Sequence, residues 1–300
     1  MSCSKSTVKH YNSSMNCYFN FCNERKLNPW KADVSIVLDF LVLLYKRNLS
    51  YSSINMARSA LSMFLPKLNG FNIGSHPLVV RMLKAIFRAR PPVAKYSSTW
   101  NVDTLLTAIE SWPDNENLPI DQLSFKLVGL LALATAQRAQ TLAAINIDDI
   151  ELGDVTTIRV GSILKTSRPG AHGCTIRLEK LLSRPKICVL SCLRSYLFRT
   201  LQLRKSSMLF ISCKAPHKAV TTQTISRWLK GLLDRCGISN IYMSHSYRHA
   251  SVSKAYVNDV PIDMIYNSAG WSTNSRMFAR HYNRKIVDAN HCKYSNTVLS

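Results

Sequence analysis

The sequence predicts a mainly α-helical protein of two domains, the second a mixed, mostly α domain with one small β-hairpin. Three observations carry that expectation. Apolar residues recur at helical spacing through most of the 300 residues. One stretch, "VTTIRVGSILKTSRPGAHGCTIRLEK", alternates with the period of a strand instead. The charge balance changes at "ARPPVAKYSSTW", whose paired prolines cannot continue a helix. The boundary is placed there, giving domains over 1–92 and 93–300.

The first third reads as helices. "DVSIVLDFLVLLYKRN" opens on Asp33 as an N-cap, "SYSSINMARSALSMFLPKL" follows, and "HPLVVRMLKAIFRAR" carries apolar residues three and four apart. Beyond the linker, "NVDTLLTAIESW" and "DQLSFKLVGLLALATAQRAQTLAAI" read as two further helices, the second strongly apolar. The alternating stretch places Ile158, Val160 and Ser162 before a Pro-Gly turn, then Cys174, Ile176 and Leu178, the pattern of a hairpin. Helical patterns resume at "VLSCLRSYLFRTLQL" and "TTQTISRWLKGLLDRCG" and run on to the C-terminus. There is no internal repeat or low-complexity tract.

Composition narrows the function. With 39 Lys and Arg against 17 Asp and Glu the formal charge is +22, which calls for a polyanionic partner. Up to Lys95 there are 14 basic residues and 3 acidic ones, half of the net charge; residues 96–125 then hold five acids and no base. Arg58, Lys67, Arg81, Lys84, Arg88, Arg90 and Lys95 fall mostly on the later helices of the first third. Any one of them is most simply a solvated surface residue. Together, with so few acids to balance them, they form a candidate phosphate-tracking surface.

Nothing favours a membrane. The N-terminus lacks the apolar core of a signal peptide, and the longest apolar runs, "LVGLLALATA" and "IVLDFLVLLY", are about half the length a spanning helix needs. The chain is expected to be soluble and intracellular. Its nine cysteines are scattered with no C-x-x-C pair; Cys188 and Cys192, the closest, read as buried thiols one helical turn apart rather than a metal site, so no metal is expected.

Four stretches carry chemistry: "TAQRAQTLAAINIDDI", "ILKTSRPG", "HSYRHA" and "AGWSTNSRMFARHYNR". Cleaving a phosphodiester requires cations and donors aimed at oxygens that gain negative charge, and arginine suits this because its planar fork binds two oxygens at once. Arg138 alone reads as a snorkelling or capping arginine and Lys165 alone as a turn lysine. Their combination, in this order and at roughly this spacing, resembles the conserved boxes of the tyrosine recombinase, or lambda integrase-like, family. The wording "RAQTL", "LKTSRPG", "AGWS" and "YNR" is closest to the recombinases of DIRS-type retrotransposons.

The resemblance implies a helical, SAM-like core-binding domain followed by a catalytic domain of the DNA breaking-rejoining enzyme fold. It makes Arg138 the first arginine, Lys165 the hairpin lysine, His245 and Arg248 the His-x-x-Arg pair, Trp271 the occupant of a position usually held by a second histidine, and Tyr282 the nucleophile. An ordinary tyrosine has a pKa of about 10, so attack at neutral pH needs a base and nearby cations. His245 supplies the first, Arg138 and Arg248 the second, and Lys165 a proton for the departing 5′ oxygen. The indole N–H of Trp271 can reach a phosphate oxygen, although its ring is as readily core.

The gap from Trp271 to Tyr282 is longer than the wider family suggests, which leaves Tyr266 and Tyr294 as competing nucleophiles, while Tyr247 reads as packing. The implied partner is double-stranded DNA, held by a homo-oligomer, with no cofactor, in the nucleus of a host carrying a mobile element. The rival readings are a catalytically silent DNA-binding protein derived from such an element and a type IB topoisomerase.

Overall fold

Asp33, the expected N-cap, begins a helix in the computed structural model: its carboxylate accepts the Ser35 N–H at 3.3 Å and opens α2 (Val34–Lys46). The structure describes residues 5–31, 33–162, 164, 167, 173–272, 278, 282 and 284–287. They divide into two compact units, residues 1–95 and 96–300.

The first unit holds α1 (Lys5–Glu24), α2, α3 (Tyr51–Phe64) and α4 (Pro77–Ala89). The Ser50 hydroxyl caps α3 by accepting the Ser53 N–H at 3.2 Å, and Pro77 starts α4, where a missing N–H costs nothing. Buried Tyr18, Phe21, Phe40, Leu41, Ile54, Leu61, Val79 and Leu83 form one core. Helix α1 was not foreseen: its sequence is rich in Ser, Asn and Lys, yet Met15, Tyr18 and Cys22 line one face and are buried. Arg90 is turned inward. Its guanidinium donates to the Leu49 carbonyl at 2.6 Å and lies 4.3 Å from the Tyr45 ring centre, closing the end of α2.

The second unit is built on α6 (Ile120–Thr135), which is buried on nearly every side and packs against α8 (Val189–Thr200), α9 (Thr222–Arg235) and α10 (Ser246–Val257). Around it lie α5 (Val102–Glu110), α7 (Ala139–Ala143) and α11 (Ile262–Ala269). The expected hairpin is present. Strands β3 (Val155–Val160) and β4 (Cys174–Glu179) pair antiparallel, with Ile158 opposite Ile176 and Val160 opposite Cys174, and β2 (Ile150–Glu151) adds a third strand. Cys188 and Cys192 are both buried, and burial raises the Cys192 thiol to about 12.

Two expectations are corrected. The stretch read as one helix from Asp121 to Ile145 breaks at 136–138, where Ala136 adopts a left-handed conformation (φ 51°) that costs roughly 1 kcal/mol in an L-residue. The chain does not stay helical to its end either: β5 (Lys285–Val287) pairs parallel with β1 (Ser98–Trp100), Ser98 opposite Lys285. Among the described residues no helix is long and apolar enough to cross a membrane, and no group of three His, Cys, Asp or Glu side chains could hold a metal ion.

Candidate active site

The break in α6 creates the first feature of the site. Arg138 takes the N-cap position of α7 in extended conformation (φ −79°, ψ 153°), so its side chain leaves from a gap between helices and not from a helix face. The break is held by a distant residue. Arg248, in the first turn of α10, donates to the Ala136 carbonyl at 2.7 Å and, through its other terminal nitrogen, to the Ala269 carbonyl at the end of α11. One guanidinium thus ties three helix ends together.

Arg248 is 2% exposed. Burial, with Arg138 close by, lowers its pKa from the usual arginine range to about 10, while Tyr282 opposes the shift. It remains charged at neutral pH. Its Cζ lies 4.6 Å from the Trp271 ring centre and 5.4 Å from that of Tyr282. Both the Arg248 Nε and the Trp271 Nε1 are buried donors with no acceptor among the described residues.

His245 stands at the N-cap of α10 in helical conformation, three residues before Arg248, so the two side chains share a face. Its Nε2 lies 2.9 Å from the Tyr282 hydroxyl. The phenol donates if the imidazole is neutral at that nitrogen. The Tyr282 ring is buried at 5% exposure, in a cluster with Val252, Ile265, Phe278 and Ala136.

The structure therefore brings Arg138, His245, Arg248, Trp271 and Tyr282 together. Lys165 and Tyr294 lie outside the described residues. Tyr266 packs on Trp271 (6.0 Å) and Phe278 (6.3 Å), and the described hydroxyl that meets His245 is that of Tyr282. Tyr247 is core: its hydroxyl donates to the Leu229 carbonyl at 3.1 Å and its ring meets Trp100 edge-on. Two neighbours of Tyr282 were missed by sequence reasoning, His249 and Ser253. Their signal was a four-residue spacing from His245 along one helix.

In the first unit Arg81, Lys84 and Arg88 are exposed and share one face of α4, and Lys67 and Lys95 are exposed as well. Arg58 differs. It donates to the Gly74 carbonyl at 3.1 Å and the Ser59 hydroxyl at 3.2 Å, so much of this side chain is committed to the fold.

Comparison with known proteins adds an independent line. No curated protein sequence matches the chain. Among solved structures it is similar to the XerH site-specific recombinase bound to palindromic difH substrate in a post-cleavage complex (15% identity, TM-score 0.64, 97% of this chain and 79% of that one). It is similar also to the Tn1549 transposon integrase in complex with transposon right end DNA (11% identity, TM-score 0.64, 99% and 95%). A lambda integrase tetramer bound to a Holliday junction gives 14% identity and a TM-score of 0.57 over 94% of this chain and 73% of that one. At such identities these are likenesses of fold. Residues 1–68 match the phage integrase N-terminal SAM-like domain, and residues 99–287 match the phage integrase family. That second match spans more than half of the chain and takes in Arg138, His245, Arg248, Trp271 and Tyr282: the protein belongs to the phage integrase family.

Proposed function

We propose that this protein is a site-specific DNA recombinase of a mobile element, which cuts and rejoins duplex DNA through a 3′-phosphotyrosyl bond. The observation that carries the reading is the 2.9 Å contact between the Tyr282 hydroxyl and His245 Nε2, set against a buried, charged Arg248. That contact places the phenol oxygen within proton-transfer reach of the imidazole. In the reaction His245 accepts that proton, the Tyr282 oxygen bonds to phosphorus, and the bond from phosphorus to the 5′ oxygen breaks. Lys165 supplies the proton that the departing 5′ hydroxyl needs.

The negative charge gained on the non-bridging oxygens falls to Arg138, Arg248 and Trp271. The two buried donors, Arg248 Nε and Trp271 Nε1, support this assignment, since a buried N–H without an acceptor costs about 1–3 kcal/mol and a phosphate oxygen would relieve it. The phosphotyrosyl bond keeps the energy of the broken diester. Attack by another 5′ hydroxyl therefore reseals the strand without ATP or metal.

The basic first unit supports duplex DNA as the partner, bound by a dimer or tetramer of the chain. The wording of the boxes supports a DIRS-type retrotransposon as the source and the host nucleus as the place of action. The test is a denaturing gel of protein and labelled nicked duplex in EDTA. A covalent band in wild type that vanishes in Tyr282→Phe, at unchanged DNA affinity, is the expected result. A band that persists in Tyr282→Phe would move the nucleophile to Tyr266 or Tyr294, and binding without any band on cognate DNA would favour the silent DNA-binding protein. Relaxation of supercoils without strand exchange would favour a topoisomerase.

A further inference from the structure

His245, His249 and Ser253 lie at four-residue intervals on α10, and each meets Tyr282 in a different place. His245 takes the hydroxyl. His249, which is 7% exposed, lies nearly flat over the phenol ring, with ring centres 4.5 Å apart and planes at 23°. The Ser253 hydroxyl, buried, donates to the Tyr282 carbonyl at 2.8 Å and accepts the Arg284 N–H at 3.1 Å, so one side chain bridges the backbone on either side of residue 283.

His249 is itself held. Tyr96 meets its ring edge-on at 5.7 Å and 79°, and His245 does so at 5.3 Å and 85°. On Tyr282 the Trp271 ring also packs, at 4.7 Å and 49°.

We propose that His249 and Ser253 are positioning residues for Tyr282: the imidazole face fixes the orientation of the phenol ring, and the serine hydroxyl fixes the backbone that carries it. The proposal rests on the reading of Tyr282 as nucleophile. In-line attack needs reacting atoms about 3–3.5 Å apart and aligned, and a misplacement of about 1 Å can cost a hundredfold. A phenol pinned by aromatic faces has one orientation, whereas a phenol with one face free can swing its oxygen away from His245 and from the phosphorus. The parallel geometry assigns the role to the face of the His249 ring. A phenyl ring would serve equally.

The experiment compares His249→Ala, His249→Phe and Ser253→Ala with wild type by two readouts. One is the single-turnover rate of covalent complex formation on nicked duplex, with DNA affinity measured alongside. The other is the NMR signal of tyrosine-ring-labelled protein, the Tyr282 resonance being identified by its loss in Tyr282→Phe. His249→Ala should slow cleavage about tenfold to a hundredfold at unchanged affinity and move the Tyr282 resonance, and His249→Phe should restore both. Ser253→Ala should slow cleavage less and shift the same resonance.

His249→Phe as slow as His249→Ala would overturn the role of the ring face, and His249→Ala at wild-type rate with an unmoved resonance would overturn positioning altogether. Should His249→Ala fail to fold, His249→Phe decides alone, since near-wild-type behaviour supports the proposal and loss overturns it. If wild type forms no covalent complex, the recombinase reading fails, while the resonance still decides whether His249 holds the ring.

Discussion

Holding the Arg248 charge in the interior lowers its pKa to about 10, through burial first and the nearby Arg138 second, and the fold bears that cost at neutral pH. The sign matters, because a base whose folded pKa is depressed weakens the fold wherever it stays protonated. Arg248 offsets part of that cost through its bonds to the Ala136 and Ala269 carbonyls, which close helix ends that would otherwise lack donors. Lysine in its place would keep the charge but not the planar fork. Arg248→Lys should therefore retain secondary structure by circular dichroism, yet lose about a hundredfold or more in cleavage, the usual loss for a donor aimed at developing charge. Cleavage within a few-fold of wild type would show that charge alone suffices there.

At the scale of elements, the crossing of α6 and α9 is set by Gly129. A Cβ at that position would stand 2.2 Å from the Leu232 Cδ2, and Leu232 is fully buried, so it cannot simply turn outward. Gly129→Ala should lower stability by about 1–3 kcal/mol in urea melts, and adding Leu232→Ala should cost less than it does in wild type, because the second change removes the clash. Strict additivity of the two would place the close approach elsewhere.

A second element contact has a pH signature. Arg184 makes a paired bond to Glu110 at 2.7 and 2.6 Å, fastening the end of α5 to the turn before α8, and that bond holds the Glu110 carboxyl below the usual carboxylate range. A depressed folded pKa gives stability that is present above the unfolded value and lost as pH falls through the folded one. Thermal melts from pH 6 downward should thus fall less steeply below about pH 4.3 in Glu110→Gln than in wild type. Equal slopes would mean that the pair contributes nothing.

The same scale explains what could be read in advance. Asp33, the two strands of the hairpin and the helices α2, α3, α4, α8 and α9 follow from caps and periodicity, which are local. The break at Ala136 is not local: "LALATAQRAQTLAAI" favours helix throughout, and the arginine that stabilises the break lies 112 residues away. Strands β1 and β5 are three residues each, too short for alternation to show, and exist only as a pair. Arg138, His245 and Arg248 were legible as motif. The contacts of His249 and Ser253 needed the tertiary position of Tyr282.

At the scale of the whole molecule, half of the net charge of +22 lies before residue 96, and the described structure separates the basic residues there into two kinds. Arg58 and Arg90 turn their donors to carbonyls of their own unit, whereas Arg81, Lys84 and Arg88 stand exposed along one face of α4. Only the second kind is free to release counterions from DNA. Each phosphate contact steepens the dependence of log affinity on log salt by about 0.9. The double variant Arg81→Glu and Lys84→Glu should accordingly weaken binding to every duplex alike and flatten the salt slope by about 2, while Arg58→Gln should act mainly on stability and leave the slope close to that of wild type. Fluorescence anisotropy over a salt series, on cognate and unrelated duplexes, measures both. An unchanged slope in the double variant would remove α4 from the DNA surface, and a flattened slope in Arg58→Gln would return that residue to it.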